Sequence, residues 1–532
     1  MGGGKHPVFM DVKPAESIAD MLKQKADAMP DGLAFRYAKG KDQVEEKTYG
    51  EVYQEVRKAA SWIEQNYGRK QHIAVIGENS YEWLVAFFSV LCSGNVAVAI
   101  DKELPASEVA WMINKAEAKA VFISKTYSDL AEGIEGLKLV TLKGLQEAAQ
   151  DGDAAYELYQ PKREEPAAIF FTSGTSGTSK GVILSHGNLA SEISECSRMF
   201  DPQGCKTALA VLPFHHTYGL NVAVFMPFHL GVTVYLNKSL KRLPQDMLLA
   251  KADMTLMVPL FIESFYKKIM DGIQKSGKEK QVKKGIFLSN LLLKLGIDKR
   301  REIFKEILAP FGGNLRIIIA GGAFLDQMYV KALRPFGIDI YNGYGATECS
   351  PCIAFNRPHF NKDGSVGQII PGTQVRTSAD GEVEIKGSTV MMGYYNNPEA
   401  TAEALHDGWY ATGDLGHVDK DGYLFLTGRK KNLIILSNGE NISPEELEND
   451  FRKDPGVNEV MVYDSKNTIV AQIYPEEEYM GKTEYFNELM KKVNEGRPIY
   501  KQVSKVILRS EDFIRNTTKK VVRYKNIPKE DQ

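Results

Sequence analysis

The run Ala167-Ala168-Ile169-Phe170-Phe171-Thr172-Ser173-Gly174-Thr175-Ser176-Gly177-Thr178-Ser179-Lys180-Gly181-Val182-Ile183-Leu184 decides how this chain is read. Its two ends are short apolar runs that predict buried strands. Its middle is built from hydroxyl residues and glycines and carries one lysine. Residues this small let backbone N–H groups approach and curl round phosphate oxygens, and Lys180 adds a positive charge. A flexible linker is the plain alternative, but linkers do not usually join two buried strands about ten residues apart. A Walker loop places Gly before its lysine and Ser or Thr after it. Here Ser179 precedes Lys180 and Gly181 follows, so the lysine is in the wrong frame for that class of nucleoside-triphosphatase.

Outward from this loop, helical and strand patterns alternate. Ser17 to Met29 and Tyr49 to Tyr67 carry helical periodicity, and Trp83 to Leu91 predicts a helix between buried strands at His72 to Ile76 and Ala97 to Ile100. The alternation predicts an α/β fold in which helices flank sheets that are at least partly parallel. From about Val366 the pattern changes to short alternating runs, such as Glu382-Val383-Glu384-Ile385, separated by Gly-containing turns. That predicts a small strand-rich, barrel-like subdomain closing a large N-terminal domain. After Gly428-Arg429-Lys430 the chain restarts with an expected strand at Leu433 to Leu436. Ser443-Pro444-Glu445-Glu446 then reads as a helix start, with a Ser cap and Pro at the first helical position. The expected division is a large domain over 1–429 and a small mobile α/β domain over 430–532, hinged near Lys430.

A chain of 532 residues with 43% hydrophobic and 25% charged content is an ordinary globular composition for at least two domains. A net charge of -2 gives no case for a nucleic-acid partner. No basic-then-apolar leader opens the chain, and the most apolar stretch, Trp83 to Ile100, is broken by Ser93-Gly94-Asn95, so no transmembrane segment is expected and the cytoplasm is the expected location. Among the five cysteines, Cys349 and Cys352 have Cys-x-x-Cys spacing, but no second pair completes a zinc set.

Thr172 to Gly181 closely resembles the Thr/Ser/Gly signature of the adenylate-forming superfamily: acyl-CoA ligases, peptide-synthetase adenylation domains and firefly-type luciferases. Four more blocks follow in the family's order. The first is Pro213-Phe214-His215-His216-Thr217-Tyr218-Gly219, in which the resemblance puts His216 nearest the acid. Amino-acid-activating relatives carry an aspartate here, and none occurs between Ala208 and Leu230, so an amino-acid substrate is not expected. The second joins Ala320-Gly321-Gly322-Ala323 to Tyr341-Asn342-Gly343-Tyr344-Gly345-Ala346-Thr347-Glu348. By resemblance these glycines and Ala323 line the nucleotide, Tyr344 covers adenine and Asn342 lies near its edge. Thr347 contacts the α-phosphate and Glu348 holds Mg²⁺, for which a hard carboxylate oxygen is suited. The third runs from Trp409-Tyr410-Ala411-Thr412-Gly413-Asp414 to Gly428-Arg429-Lys430, with Asp414 and Arg429 implied at the ribose. The fourth is Arg515 to Arg523, where the family's Gly-Lys is replaced by Lys519-Lys520 and its threonine by Asn516. Both lysines are candidates for the catalytic position, and Arg523 downstream favours Lys520.

The resemblance, closest to bacterial fatty-acyl-CoA synthetases, implies a ligase that uses ATP and Mg²⁺ to convert a carboxylic acid to its acyl-adenylate, then transfers the acyl group to coenzyme A. In the second step a Gly-containing loop, here Ser437-Asn438-Gly439-Glu440-Asn441, is brought to the thiol. A medium- or long-chain fatty acid is the expected substrate. An acyl-carrier protein as acceptor, an aryl acid, and an inactive acyl-adenylate binder are the alternatives. The insertion from about Lys275 to Leu308 has an apolar stretch, Ile286 to Leu295, that reads equally as the border of a lipid tunnel or as a surface helix hairpin.

Overall fold

The computed structural model describes residues 10–172, 179–435, 441–466, 468–515 and 521–529, without the side chain at 441. Among the described residues two large sheets carry most of the chain. At the centre of the first, His72–Ile76 lies parallel to Val96–Ile100 and to Ala120–Ile123, and Pro166–Thr172 continues the parallel set. Val96–Ile100 is buried at every position, as a strand covered on both faces must be. The helix before it, Tyr81–Cys92, starts at Ser80, whose hydroxyl accepts the Trp83 N–H, and is buried everywhere except Glu82. A helix apolar all round has no solvent face to offer and belongs in a core.

One edge of this sheet turns antiparallel. Pro166–Thr172 pairs with Lys180–Ser185, Thr172 lying opposite Lys180, and Lys180–Ser185 pairs in turn with Gly393–Tyr394. A segment more than 200 residues downstream therefore lies against the phosphate-loop hairpin.

The second sheet has a parallel half, in which Thr207–Ala210, Met254–Met257, Ile317–Ala320 and Asp339–Gly345 run side by side. It continues through Cys352–Phe355 into the antiparallel, strand-rich subdomain: Gly367–Ile369, Tyr423–Arg429, Trp409–Val418, Glu382–Gly387 and Thr373–Thr377. The subdomain is thus hydrogen-bonded to the large sheet at the strand that carries Asn342 to Gly345.

Beyond Lys430 a hairpin, Val457–Ser465 with Thr468–Pro475, takes Lys505–Leu508 as a parallel third strand. Helices Pro444–Arg452 and Thr483–Asn494 cover it, and Phe451, Val460, Val462, Ile473 and Phe486 form a separate core. The strand expected at Leu433 to Leu436 is reduced to Ile434–Ile435, with Leu436 outside the described residues. Ser443 precedes the helix as expected but makes no cap bond. Its hydroxyl donates to Glu445 at 2.9 Å instead, and Glu445 accepts from Asn432 at 2.6 Å, which ties the helix to the connecting segment. Gly428 makes room for this: a Cβ there would lie 2.3 Å from the Ser443 hydroxyl.

The first helix of the insertion, Glu279–Lys294, forms a hairpin with the helix before it: Pro259–Lys275 packs inward through Ile262, Phe265, Ile269 and Ile273, and Glu279–Lys294 returns along the surface.

Candidate active site

Three chain segments meet where the segment 173–178 leaves and rejoins the sheet. Residues 173–178, which include Ser173, Gly174, Thr175, Ser176, Gly177 and Thr178, lie outside the described residues, but both ends are placed. Thr172 donates through its hydroxyl to the Lys180 carbonyl at 3.4 Å. The Lys180 ammonium sits 4.9 Å from the ring centroid of Tyr394, and the Tyr394 hydroxyl donates to Glu348 Oε1 at 2.8 Å. Lys180 and Glu348 therefore flank one aromatic ring, the lysine delivered by the hairpin strand and the carboxylate by the turn Thr347–Cys349. Burial, reinforced by the Glu348 charge, holds the Tyr394 phenol protonated far above neutrality, so it acts as a fixed donor. Thr347 and Glu348 are half-buried on the turn that follows strand Asp339–Gly345. Gly345 is required there, since a Cβ would fall 1.9 Å from the Pro351 carbonyl oxygen.

Next to this cluster is a polar wall. The Tyr344 hydroxyl donates to Asp414 Oδ2 at 2.6 Å, and Arg429 Nε meets Asp414 Oδ1 at 2.8 Å. Asp414 and Arg429 are cross-strand partners in the subdomain, which fixes their pairing by register. Burial and then the Asp414 charge raise the Tyr344 phenol well above its usual range. The strand bulges here and is fixed from behind: Asp414 N–H donates to Thr412 Oγ1 at 3.0 Å, and Thr412 Oγ1 donates to the Val383 carbonyl at 2.7 Å. Gly413 N–H donates to Glu382 Oε1 at 2.8 Å, while Glu382 Oε2 meets Lys430 at 2.8 Å; Lys430 also meets Asp380 at 2.6 Å. Those two carboxylates raise the Lys430 ammonium above its usual range.

Asn342 and Gly343 precede Tyr344 on the same strand. The Asn342 side-chain oxygen is buried with no partner among the described residues, and a buried acceptor in that state is suited to an N–H donor from a ligand. Gly321, Gly322 and Ala323 follow strand Ile317–Ala320, which is register-paired with Asp339–Gly345 through Ala320 and Asn342. Gly321 lies flat on Tyr218; a Cβ would be 2.9 Å from that ring.

Tyr218 also links this wall to the histidine block, its hydroxyl donating to the Ile319 carbonyl at 3.1 Å. The rings of His215 and His216 are 4.2 Å apart. His215 Nε2 approaches Asp101 Oδ2 to 3.4 Å, a close contact without hydrogen-bond alignment, between side chains only 9% and 7% exposed. Burial alone would raise the Asp101 carboxyl, yet His215, the Glu103 backbone N–H and His216 together outweigh it and the group lies below the usual carboxylate range. Asn221 then donates to the Ser350 carbonyl at 2.6 Å, joining the histidine block to the Glu348 turn.

Lys519, Lys520 and Gly439 lie outside the described residues. The flanks of the lysine segment are placed. Arg515 and Val521 pair as an antiparallel bridge; Arg515 meets Glu459 at 3.0 Å, and Arg523 pairs with the buried Glu448 and donates to the Val462 carbonyl at 2.9 Å. Arg523 is thus a structural anchor of the segment. Glu263, on the first turns of helix Pro259–Lys275, has its carboxyl raised by burial and by Glu459, while Arg452 and Arg515 oppose this. That helix begins beside Gly322, where an added Cβ would lie 3.5 Å from Val258. Lys267 of that helix also meets Glu476 at 3.2 Å.

Sequence reasoning missed Asp101, Glu382 and Tyr394. Gly393-Tyr394 could be read as a short strand before the Asn397-capped helix Pro398–Ala404, but nothing local reveals that it borders Lys180. Cys349 and Cys352 are buried free thiols, and no cluster of three or more His, Cys, Asp or Glu among the described residues could hold a metal by itself.

Residues 22–395 match the family described as AMP-binding enzyme. The long-chain-fatty-acid–CoA ligase FadD15 of Mycobacterium bovis is 30% identical over 461 residues, covering 80% of this chain and 76% of that protein. The ATP-bound structure of MatB from Rhodopseudomonas palustris is 25% identical with a TM-score of 0.79, over 95% of this chain and 97% of that one. The anthranilate CoA ligase AuaEII in complex with anthranoyl-AMP, at 19% identity, shares the fold with a TM-score of 0.81 over 97% of both chains.

Proposed function

The chain belongs to the AMP-binding enzyme family, and from that premise we propose that it is an AMP-forming acid–CoA ligase acting on a medium- or long-chain fatty acid. The observation that carries the reading is the meeting of Lys180, Tyr394 and Glu348 beside the Tyr344–Asp414–Arg429 wall. A cation and a carboxylate so arranged are suited to a triphosphate, and the wall beside them to a nucleoside.

A carboxylate is a poor electrophile, and its attack on the α-phosphate of ATP exchanges an oxide leaving group for AMP and expels pyrophosphate. The transition state is crowded and negative, so it needs cations and donors in place rather than a protein nucleophile. Lys180 and the loop 173–178 hold the phosphates. Tyr344, with Gly321, Gly322, Ala323, Asn342, Gly343 and Gly345, encloses the base; the unpartnered Asn342 oxygen suits an exocyclic amine. Asp414 and Arg429 hold the ribose. Thr347 contacts the α-phosphate, and His216 orients the acid. Glu348 is a single hard carboxylate, a donor set that fits Mg²⁺ with phosphate oxygens and water completing its shell; bound there, Mg²⁺ would offset phosphate charge. Lys520 supplies a further positive charge during adenylation. The domain over 430–532 then turns about Lys430 and brings the Gly439 loop to coenzyme A.

Support for a fatty acid comes from the similarity to FadD15 and from the residue pattern around Gly439; the anthranilate ligase keeps an aryl acid as the second reading. ATP–pyrophosphate exchange across a panel of fatty and aryl acids, repeated with coenzyme A and with an acyl-carrier protein, tests both. The expected products are AMP, pyrophosphate and a fatty-acyl thioester of coenzyme A. Release of ADP would overturn the reading.

A further inference from the structure

We infer that the helix hairpin of the insertion is a membrane-surface contact, which lays the outer face of helix Glu279–Lys294 on a bilayer containing anionic lipid. The inference stands on this hairpin alone and does not need the proposed substrate.

Phe287 is 73% exposed, Leu295 68%, Leu288 48% and Leu291 47%. Their spacing places them on one side of a helix. The opposite side is fixed: Val282 and Ile286 pack on the core that holds Ile262, Phe265 and Phe304, and Gly285 lies so close to Phe304 that a Cβ would be 3.1 Å from its ring. Ser289 is buried and donates to the Ile286 carbonyl at 3.0 Å. The helix therefore cannot roll its apolar stripe inward without giving up that seat. A contiguous exposed patch on a well-seated helix marks an interaction surface.

Charge selects the occupant. Residues 278 to 299 contain six lysines against two acids, in a chain whose net charge is -2. Lys278 and Lys299 are paired with Glu306 and Glu302. Lys280, Lys283, Lys284 and Lys294 have no carboxylate partner among the described residues. A second copy of this face would set lysines against lysines, which opposes association. An anionic headgroup layer satisfies them while the stripe enters the acyl boundary, the pattern of an interfacial amphipathic helix. No helix among the described residues is long and apolar enough to cross a membrane, so the contact lies in the interface plane.

The test is co-sedimentation of the full chain with vesicles of phosphatidylcholine, with and without an equal share of phosphatidylglycerol, at low and high salt. Binding to the phosphatidylglycerol vesicles is expected to exceed binding to phosphatidylcholine at least about tenfold at low salt and to weaken at high salt. The double variant Phe287→Gln/Leu291→Gln should lose about tenfold or more of that binding. Lys283→Gln/Lys284→Gln should lose about tenfold or more on anionic vesicles only, from roughly a fivefold contribution per lysine. Both replace exposed side chains, so an unchanged melting temperature is expected and identifies an intact fold. Wild-type protein that stays in the supernatant in every lipid, or Phe287→Gln/Leu291→Gln binding like wild type, overturns the inference. So does concentration-dependent dimerisation, abolished by that variant, in a protein that ignores vesicles.

Discussion

Replacing Asp414 separates two functions that this carboxylate combines. One oxygen accepts the Tyr344 hydroxyl at 2.6 Å and the other meets Arg429 at 2.8 Å. Asp414→Ala removes the acceptor from a buried phenol, which costs about 1–3 kcal/mol of stability. The Arg429 pair adds little, because that side chain is 49% exposed and solvent screens it. Asp414→Asn keeps a neutral acceptor for Tyr344, so its stability should stay within about 1 kcal/mol of wild type. Both changes remove the charge-assisted acceptor proposed for the ribose hydroxyls, worth about 1.5–3 kcal/mol, or roughly 10- to 100-fold in the KM for ATP. Thermal unfolding and ATP–pyrophosphate exchange with varied ATP read the two effects independently. The expected pattern is a lowered Tm for Ala alone, with a raised KM for both. Asp414→Asn with an unchanged KM would refute the ribose assignment, and Asp414→Ala with an unchanged Tm would refute the structural role of the Tyr344 bond.

Glu348→Gln should raise the Mg²⁺ requirement of adenylation about tenfold or more, and Tyr394→Phe by a smaller factor near fivefold, since it removes only one hydrogen bond to the carboxylate; equal Mg²⁺ titrations for both variants and wild type would contradict this. Lys520→Ala should slow adenylation by about 10²–10³-fold, while presynthesised acyl-adenylate plus coenzyme A bypasses most of the defect. If Lys519→Ala is the slower variant, the working lysine is the other one. Glu192 is fully buried, and burial raises its carboxyl to about 8. Between the unfolded value near 4.5 and about 8 the native chain keeps a proton that the unfolded chain releases, so stability falls as pH rises through that window. Glu192→Gln should flatten the decline and gain on the order of 4 kcal/mol at pH 9 in urea unfolding; parallel pH profiles would exclude it.

Elements set by local pattern were legible in the sequence. Tyr49–Tyr67 is one helix over the expected residues, and Trp83 to Leu91 lies within Tyr81–Cys92. The two strands flanking residues 173–178 were readable because each is a short apolar run, whereas their antiparallel pairing was not read from the pattern. What could not be read was pairing across long separations. Tyr394 reaches Lys180 only because Gly393–Tyr394 joins the far edge of that hairpin, and Asn188 helps to hold the approach by donating to the Ser388 and Val390 carbonyls at 2.8 and 2.9 Å. Asp101 likewise follows a strand whose own pattern indicates nothing but a buried sheet. The outward face of Glu279–Lys294 was ambiguous for a related reason: periodicity identifies an apolar stripe but not which way it points.

The Glu382 carboxylate has one oxygen on the Gly413 N–H and the other on Lys430. It is a shared node between the strand bulge that presents Asp414 and the residue about which the small domain is proposed to turn. Withdrawing Lys430 would leave that carboxylate with a single donor and change the charge behind the bulge. Thermodynamic reciprocity then requires a matching effect in the other direction. Whatever the orientation of the small domain does to the affinity for a nucleoside must appear, with the same free energy, as the bias that a bound nucleoside places on that orientation.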